Sequence, residues 1–424
     1  MDSENLMFGS VMIWHRWKTG GFPERKRKMT AQFKFIIYIC AAELFSMAGT
    51  MYFPALLPGF RAEWNLTNTE AGWINGIFYG GYAAFAPILV SLTDRFDPRR
   101  IYLLSAAVGA ASMIGFGWFA EGTLSASAFR LLAGISLAGT YMPGVKVLSD
   151  HIAGKGQSRS VAFYTATYGL GTALSVFLSG WITTWFHWRW TALLLSAGPL
   201  MSVIIFALSV EARKPQRPDM RPIWSYFDFR LALRNRLALG YTLGYAVHCW
   251  ELFGFRTWVV AFLFFSLSLQ PGSHYLSPQN LATLVVLAGV PASVLGNEGA
   301  VRWGRRLIVS LYMVTSGLLG CVIGFCAGWP FVVVIGLCLL YGIAVMLDSG
   351  SLTAGVVAAA HDGERGITLA VYSFMGFGMA FLSPLAVGGV LDITGGGTYG
   401  WGLALAILGI VSMSGPLWLR IFRQ

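Results

Sequence analysis

Apolar stretches of about 20 residues recur along this chain and constrain its fold more than any other feature. A helix needs about 20 consecutive apolar residues to cross the hydrocarbon core of a bilayer. Such runs lie at residues 35–58, 71–92, 101–120, 127–149, 161–183, 190–210, 238–265, 281–297, 307–327, 331–358, 367–391 and 401–419. The shortest run, 281–297, is the weakest member of the series. The pattern predicts an all-α integral membrane protein with twelve transmembrane helices.

The composition supports this interpretation and excludes a soluble or nucleic-acid-binding protein. Hydrophobic residues make up 56% of the chain and charged residues 12%, against about 25% charged in an average soluble protein. The net charge is +11, but the basic residues form short clusters between the apolar runs, as they do in the loops that orient membrane helices. We therefore expect a lipid bilayer, and no nucleic acid, as the partner of this surface.

The positions of the basic residues predict the orientation of the chain. Of the 30 Lys and Arg, 25 lie in alternate loops that share one side with both termini. The opposite side keeps only Arg61, Arg130 and Arg189. Because cytoplasmic loops are enriched in Lys and Arg, we predict cytoplasmic termini in a multi-pass cell membrane protein, located in the inner membrane if the source is bacterial.

The polar stretch at residues 211–237 divides the chain into two similar parts. Three short matches, each offset by 207 or 208 residues, pair residues 42–45 with 250–253, 95–99 with 302–306, and 164–165 with 372–373. Matches at a nearly constant offset indicate a duplicated half. We predict an N-terminal tail (1–34), a six-helix half (35–210), a cytoplasmic central loop (211–237), a second six-helix half (238–419) and a short C-terminus (420–424).

The loop after the second run carries a motif with a known parallel. Residues 93–100 read Thr-Asp-Arg-Phe-Asp-Pro-Arg-Arg. Asp94, Arg95, Arg99 and Arg100 fit a Gly-x-x-x-Asp-Arg-x-Gly-Arg-Arg pattern, whereas Val90 replaces its first Gly and residues 97–98 replace Gly-Arg. Residues 301–306 resemble a degenerate second copy that has lost its Asp. Together with twelve runs in two halves, this motif resembles the major facilitator superfamily, and the resemblance implies that the loop is a gating element.

A second motif opens the fourth run. Arg130 and Gly134 fit the Arg-x-x-x-Gly signature of helix four in the same superfamily. The proline-glycine signature of drug and proton antiporters is not matched at residues 169–174, which argues against a drug exporter. The resemblance covers nearly the whole chain from about residue 35 and does not identify a subfamily.

Few ionisable side chains lie inside the apolar runs. An ionisable group in lipid costs about 2.5–3.5 kcal/mol on insertion scales, so such groups mark functional interiors. They occur in runs one, four, seven and ten, which the resemblance identifies as the helices that line the central cavity. The predicted substrate and proton cavity consists of Glu43, Lys146, His248, Glu251, Arg256 and Asp348.

Each of these residues also has a structural interpretation. Lys146 is four residues from Asp150 and could pair with it, His248 could be a packing histidine, and Arg256 could be a counter-ion for an acidic neighbour. Glu43 and Glu251 occupy equivalent places in the two halves, where an unpaired carboxylate is expected to take up a proton when water is excluded.

These features predict a secondary active transporter that moves a small molecule by alternating access. We expect coupling to protons and an organic or small inorganic anion as substrate, with a monomer as the working unit. The alternatives are an uncoupled uniporter, an exporter of cationic or amphipathic compounds, and a non-transporting membrane sensor. The chain carries no HExxH, CxxC, phosphate-loop or EF-hand pattern, so neither an enzyme nor a bound metal or cofactor is expected.

Overall fold

The computed structural model describes residues 21–152, 155–212, 229–271, 277–361 and 365–422. Within these ranges the chain forms helices joined by short turns, and no strand occurs. The helices of the N-terminal half are α1 (Gly21–Ser46), α2 (Tyr52–Ala55), α3 (Leu57–Trp64), α4 (Asn68–Leu92), α5 (Pro98–Phe119), α6 (Thr123–His151), α7 (Lys155–Thr183), α8 (Trp188–Leu195) and α9 (Ala197–Ser209).

The C-terminal half repeats this arrangement of long helices. Its helices are α10 (Arg230–Arg234), α11 (Arg236–Ser268), α12 (Pro278–Trp303), α13 (Arg305–Ile323, extended by a 3-10 turn at Gly324–Cys326), α14 (Phe331–Met346), α15 (Ser349–Ala359), α16 (Arg365–Thr394), α17 (Thr398–Ser412) and α18 (Gly415–Ile421). Most of the central loop, residues 213–228, lies outside the described ranges.

Ten helical segments of the described chain are long and apolar enough to cross a membrane. They coincide with ten of the predicted runs, including the short one at 281–297, which becomes the 26-residue helix α12. The remaining two runs correspond to α1 and α7, which are 26 and 29 residues long but begin in basic sequence. The all-helical membrane class is therefore confirmed, and the count of twelve spans stays a prediction for α1 and α7.

The first predicted run is interrupted. Residues 47–51 form turns between α1 and α2, so the regular hydrogen-bond ladder of the helix is broken there. Irregular backbone at membrane depth requires partners from neighbouring helices. The Ser175 hydroxyl accepts a hydrogen bond from the Met51 N–H at 2.9 Å, and the Thr50 carbonyl accepts one from Arg130. The interruption is thus held by polar side chains of α7 and α6.

The start of α4 is specified locally. Asn65 ends α3 in the left-handed conformation at φ 50°, which asparagine tolerates better than most residues. Thr67 and Glu70 then form a reciprocal capping box around the first turn of α4. Such a box satisfies N–H groups that a helix cannot pair internally. This short connection reverses the chain and places α4 beside α6 and α16.

Helix α4 is the main link between the two halves. It packs against α6 of its own half and α16 of the other, and α7 packs against α12 in a second contact.

We call the end of the bundle that contains Asn68 and Asp392 the distal end. The opposite end, which contains Leu92 and Phe422, is the proximal end. Glycines bring α4 and α16 to backbone contact towards the distal end, because a Cβ added at Gly72 would lie 2.3 Å from the Pro384 carbonyl oxygen.

Candidate functional site

His248 and Asp348, separated by 100 positions in sequence, form a buried pair. His248 Nδ1 lies 2.7 Å from Asp348 Oδ1, and the two side chains are 1% and 2% exposed. Asp348 lies where the tenth run is interrupted, between α14 and α15, and the ring of Tyr245 stacks on His248 at 5.8 Å. Two residues of the predicted cavity are therefore brought together, and His248 has an acidic neighbour in addition to its packing contact with Tyr245.

Glu251 lies one helical turn beyond His248 and is fully buried. Its Oε2 accepts a hydrogen bond from the Ser316 hydroxyl at 2.9 Å, and the hydroxyls of Tyr341 and Ser412 lie beside it. These partners come from α13, α14 and α17 of the same half. Glu251 therefore sits in a hydroxyl-rich pocket inside the C-terminal half.

Glu43 has the corresponding environment in the N-terminal half. It is fully buried, and its Oε2 accepts hydrogen bonds from Tyr164 at 2.9 Å and from Ser46 at 3.3 Å. Among the described residues, neither Glu43 nor Glu251 is paired with a Lys or Arg. The sequence repeat thus places two uncompensated carboxyl groups at matching positions, each bonded within its own half.

Lys146 pairs with the loop motif. Its ammonium forms an ion pair with the Asp94 carboxylate, whereas the sequence suggested Asp150, four residues away on the same helix. The two side chains are 31% and 45% exposed, so the pair lies at the proximal rim of the bundle. Lys146 is thereby joined to the predicted gating element.

The other residues of this loop differ in their contacts and exposure. The Asp97 carboxylate caps α5 by accepting a hydrogen bond from the Arg99 N–H at 3.0 Å, and Arg99 Nη2 donates to the Ala207 carbonyl at 2.7 Å. Arg95 is half-buried, and Arg100 is exposed. Arg99 therefore ties this loop to the end of α9.

Arg130, which the sequence assigned to the outer side of the membrane, is buried within the bundle and is only 3% exposed. Its guanidinium donates hydrogen bonds to the Thr50 carbonyl at 2.8 Å and to Asn75 Oδ1 at 3.2 Å, and it lies 4.3 Å from the centre of the Phe78 ring. Gly134, one turn further along, allows α6 to touch the backbone of α4. The helix-four motif therefore joins α6 to α4 and to the interruption after α1.

Arg256 is also buried, at 7% exposure, but its surroundings differ. The contact recorded for its guanidinium is Nη2 to the Met346 sulfur at 3.6 Å, and Tyr79 and Tyr168 are its electrostatic neighbours. No carboxylate pairs with it in the part of the chain that the structure describes. Among the described residues, Arg256 therefore has no acidic neighbour for which it could be the counter-ion.

Some polar residues of the interior were missed because only ionisable groups were sought in the apolar runs. The Asn75 amide donates a hydrogen bond to the Thr257 hydroxyl, which links α4 to α11 of the opposite half. A lone amide inside a membrane run also needs a partner, so Asn75 could have been identified from sequence. Asp392, at the end of α16, gave no such signal because it falls just outside an apolar run.

Comparison with known proteins identifies relatives of this chain. A sequence profile of the Major Facilitator Superfamily matches residues 39–384. Protein spinster of Drosophila melanogaster is 22% identical over 80% of this chain and 54% of its own length. The niacin transporter NiaP of Acinetobacter baylyi is 26% identical over 36% of this chain and 34% of its own length. The gallate transporter of Pseudomonas putida is 26% identical over 34% of this chain and 32% of its own length.

The similarity thus spans about half of the spinster protein and about a third of the other two relatives. Solved structures show the same fold. A bacterial homologue of the human lysosomal transporter Spinster, inward-facing and unoccupied, superposes with a TM-score of 0.69 at 13% identity and covers 92% of this chain and 95% of its own. A variant of the nucleoside transporter NupG superposes with a TM-score of 0.74 at 13% identity and covers 93% of this chain and 100% of its own.

Proposed function

The chain belongs to the major facilitator superfamily, and from that premise we propose that it is a proton-coupled transporter of a small organic anion. Membership confirms the predicted family and the multi-pass membrane class, and it supports transport rather than enzymatic catalysis as the activity.

The proposal that the substrate is an anion rests on the environment of Arg256. Its guanidinium is buried against a thioether and tyrosines. Leaving a buried charge without a counter-charge costs several kcal/mol, and an arginine fork matches a carboxylate with two parallel hydrogen bonds. An anionic substrate would supply the missing charge. The two other embedded cations differ from Arg256, because Lys146 is paired with the Asp94 carboxylate and Arg130 donates hydrogen bonds to the oxygens of Thr50 and Asn75.

The relatives support the same class of substrate. Two of them are named for niacin and gallate, and both compounds are aromatic carboxylic acids. Tyr168, the half-buried one of the two tyrosines near Arg256, provides a ring of the kind that packs against a planar substrate. These relatives are distant, so their names support a class of compound and not an individual substrate.

Proton coupling is supported by Glu43, Glu251 and the His248–Asp348 pair. A carboxylate buried among hydroxyl groups without a cation is unfavourable in its charged form. Uptake of one proton would neutralise it and leave its hydrogen bonds in place. Because each glutamate is bonded within its own half, protonation would remove a buried charge from that half, and this change could bias the rocking of the two halves.

The direct test is uptake into proteoliposomes under an imposed pH gradient, with radiolabelled nicotinate and gallate as anionic probes and tetraphenylphosphonium as the cationic one. We expect accumulation of an anion that collapses when a protonophore dissipates the gradient. Uptake that equilibrates without accumulation would identify a uniporter, and accumulation of the cation would identify an exporter of amphipathic cations.

Arg256→Gln is expected to weaken binding of the transported anion by about thirtyfold or more, since truncating one partner of a buried charge pair costs about 2–5 kcal/mol. Binding should be measured by equilibrium dialysis with the purified protein. Arg420→Gln, which changes an exposed arginine near the C-terminus, is the matched control and should bind normally. Equal affinities in both variants would remove Arg256 from the binding site.

We also propose that the proximal end, with both termini, faces the cytoplasm. In a bacterial host, a fluorescent protein fused after Glu211 should fluoresce, and one fused after Gln270 at the distal end should not. Alkaline phosphatase fused at the same two points should show the reverse pattern, because it is active only outside the cytoplasm. A periplasmic reporter after Glu211 would reverse the whole orientation.

A further inference from the structure

The carboxylate of Asp392, at the last turn of α16, is bound to the first turn of α4 in the opposite half. Oδ1 accepts hydrogen bonds from the Asn68 N–H at 2.9 Å and from the Asn68 side-chain amide at 2.8 Å. Oδ2 accepts from the Thr69 N–H at 2.7 Å and from the Thr69 hydroxyl at 2.6 Å. Both oxygens of one side chain are therefore engaged by two consecutive residues across the boundary between the halves.

These four bonds complement the capping of α4 by its own residues. Within α4, the Thr67 hydroxyl accepts the Glu70 N–H, and the Glu70 carboxylate accepts the Thr67 N–H. The N–H groups of Asn68 and Thr69 are left over, and a helix cannot satisfy its first N–H groups internally. Asp392 accepts them, and its negative charge is also favoured at the positive end of the helix dipole.

The backbone geometry beneath Asp392 makes this contact specific for one arrangement of the halves. Added Cβ atoms at three glycines would lie 2.2–2.4 Å from carbonyl oxygens across the boundary: Gly388 from Asn68, Gly72 from Pro384, and Gly76 from Phe381. Three close approaches, spread over about two turns, bring α4 and α16 together without intervening side chains. Asp392 reaches its donors only when this seam is closed.

We propose that Asp392 is a positioning residue that holds the distal end of the transporter closed. Rocking of the halves to open that end separates α16 from α4 and exchanges four hydrogen bonds to Asp392 for bonds to water. The carboxylate thereby biases the equilibrium towards the state that is closed at the distal end. Asp94, the acid of the loop motif, differs in this structure because it pairs with Lys146 of its own half.

This inference requires alternating access but neither a particular substrate nor proton coupling. It can therefore fail or succeed independently of the proposed function. The conformational equilibrium is measured directly, by electron paramagnetic resonance distances between spin labels at Ala62→Cys and Thr398→Cys. Both positions are exposed at the distal end, one in each half. The five native cysteines are replaced by alanine, and the protein is reconstituted in lipid nanodiscs.

In the labelled parent protein we expect a dominant short distance. Asp392→Asn preserves the size of the side chain but loses the charge and part of the acceptor capacity. The ratio of the population at the long distance to that at the short distance should therefore rise about fivefold. This change corresponds to the loss of roughly 1 kcal/mol of helix-dipole and charge-assisted bonding at an exposed site. Thr69→Val removes one donor and should produce a smaller change in the same direction.

The matched control is Glu121→Gln, at the distal turn between α5 and α6. Glu121 is exposed, and the hydrogen bond recorded for it involves its backbone N–H and Ser125. It should leave the distances unchanged. The proposal is overturned if well-folded Asp392→Asn and Thr69→Val proteins keep the parent distances, or if Glu121→Gln shifts them equally.

Discussion

Replacement of Glu251 by glutamine is expected to abolish accumulation driven by a pH gradient while leaving exchange of substrate across the membrane measurable. The glutamine is nearly isosteric and can still accept the hydrogen bond from Ser316, but it cannot release a proton. For electroneutral symport of one proton with one anion, a gradient of two pH units supports about 100-fold accumulation, since one pH unit corresponds to about 1.36 kcal/mol. The variant should reach an internal concentration close to the external one.

Glu43→Gln is the matched comparison, because Glu43 occupies the equivalent position and is bonded to Tyr164 and Ser46 in the same manner. Counterflow with preloaded vesicles shows whether each variant still binds and moves substrate. Loss of accumulation in only one variant would assign the coupling to that half. Full accumulation in both would refute coupling through these carboxyl groups and leave a uniporter as the better description.

Replacement of Gly134 by alanine is expected to prevent correct packing of the N-terminal half. A Cβ added at Gly134 would lie 1.8 Å from the Phe78 carbonyl oxygen and 2.8 Å from its carbonyl carbon. Both are backbone atoms of α4, which cannot rotate away as a side chain could. Overpacking of this kind typically costs about 1–3 kcal/mol and sometimes more. We therefore expect a severe loss of monodisperse protein after solubilisation.

The matched control is Gly336→Ala in α14, where an added Cβ meets no atom within 4 Å. Alanine is preferred over glycine inside a helix by about 1 kcal/mol, so this variant should be as stable as the parent or more so. Thermal unfolding followed by size-exclusion fluorescence provides the measurement. A Gly134→Ala protein with parental yield and melting temperature would show that α4 and α6 can separate at no cost.

Particular residues show why pairings inside the bundle were harder to predict than the helices. The sequence offered Asp150, one turn away, as a possible partner of Lys146, yet Lys146 pairs with Asp94, 52 positions earlier. Arg130 lies near the start of an apolar run, and its position in the sequence did not show that Asn75 and a carbonyl of the interrupted first run are its partners. Sequence spacing identifies neighbours on one helix, but it does not specify which neighbouring helix a side chain faces.

The amino-acid sequence by itself determined the membrane class, the positions of ten spanning helices and the concentration of embedded charges in a few of them. These features follow from local rules, because the thickness of the bilayer sets the length of an apolar run and the low polarity of lipid makes each buried charge conspicuous. The tertiary structure alone decided which groups meet: His248 with Asp348, and Asp392 with the start of α4. Such contacts depend on the rotation and depth of helices distant in sequence, and these are set by close packing at glycines across the whole bundle.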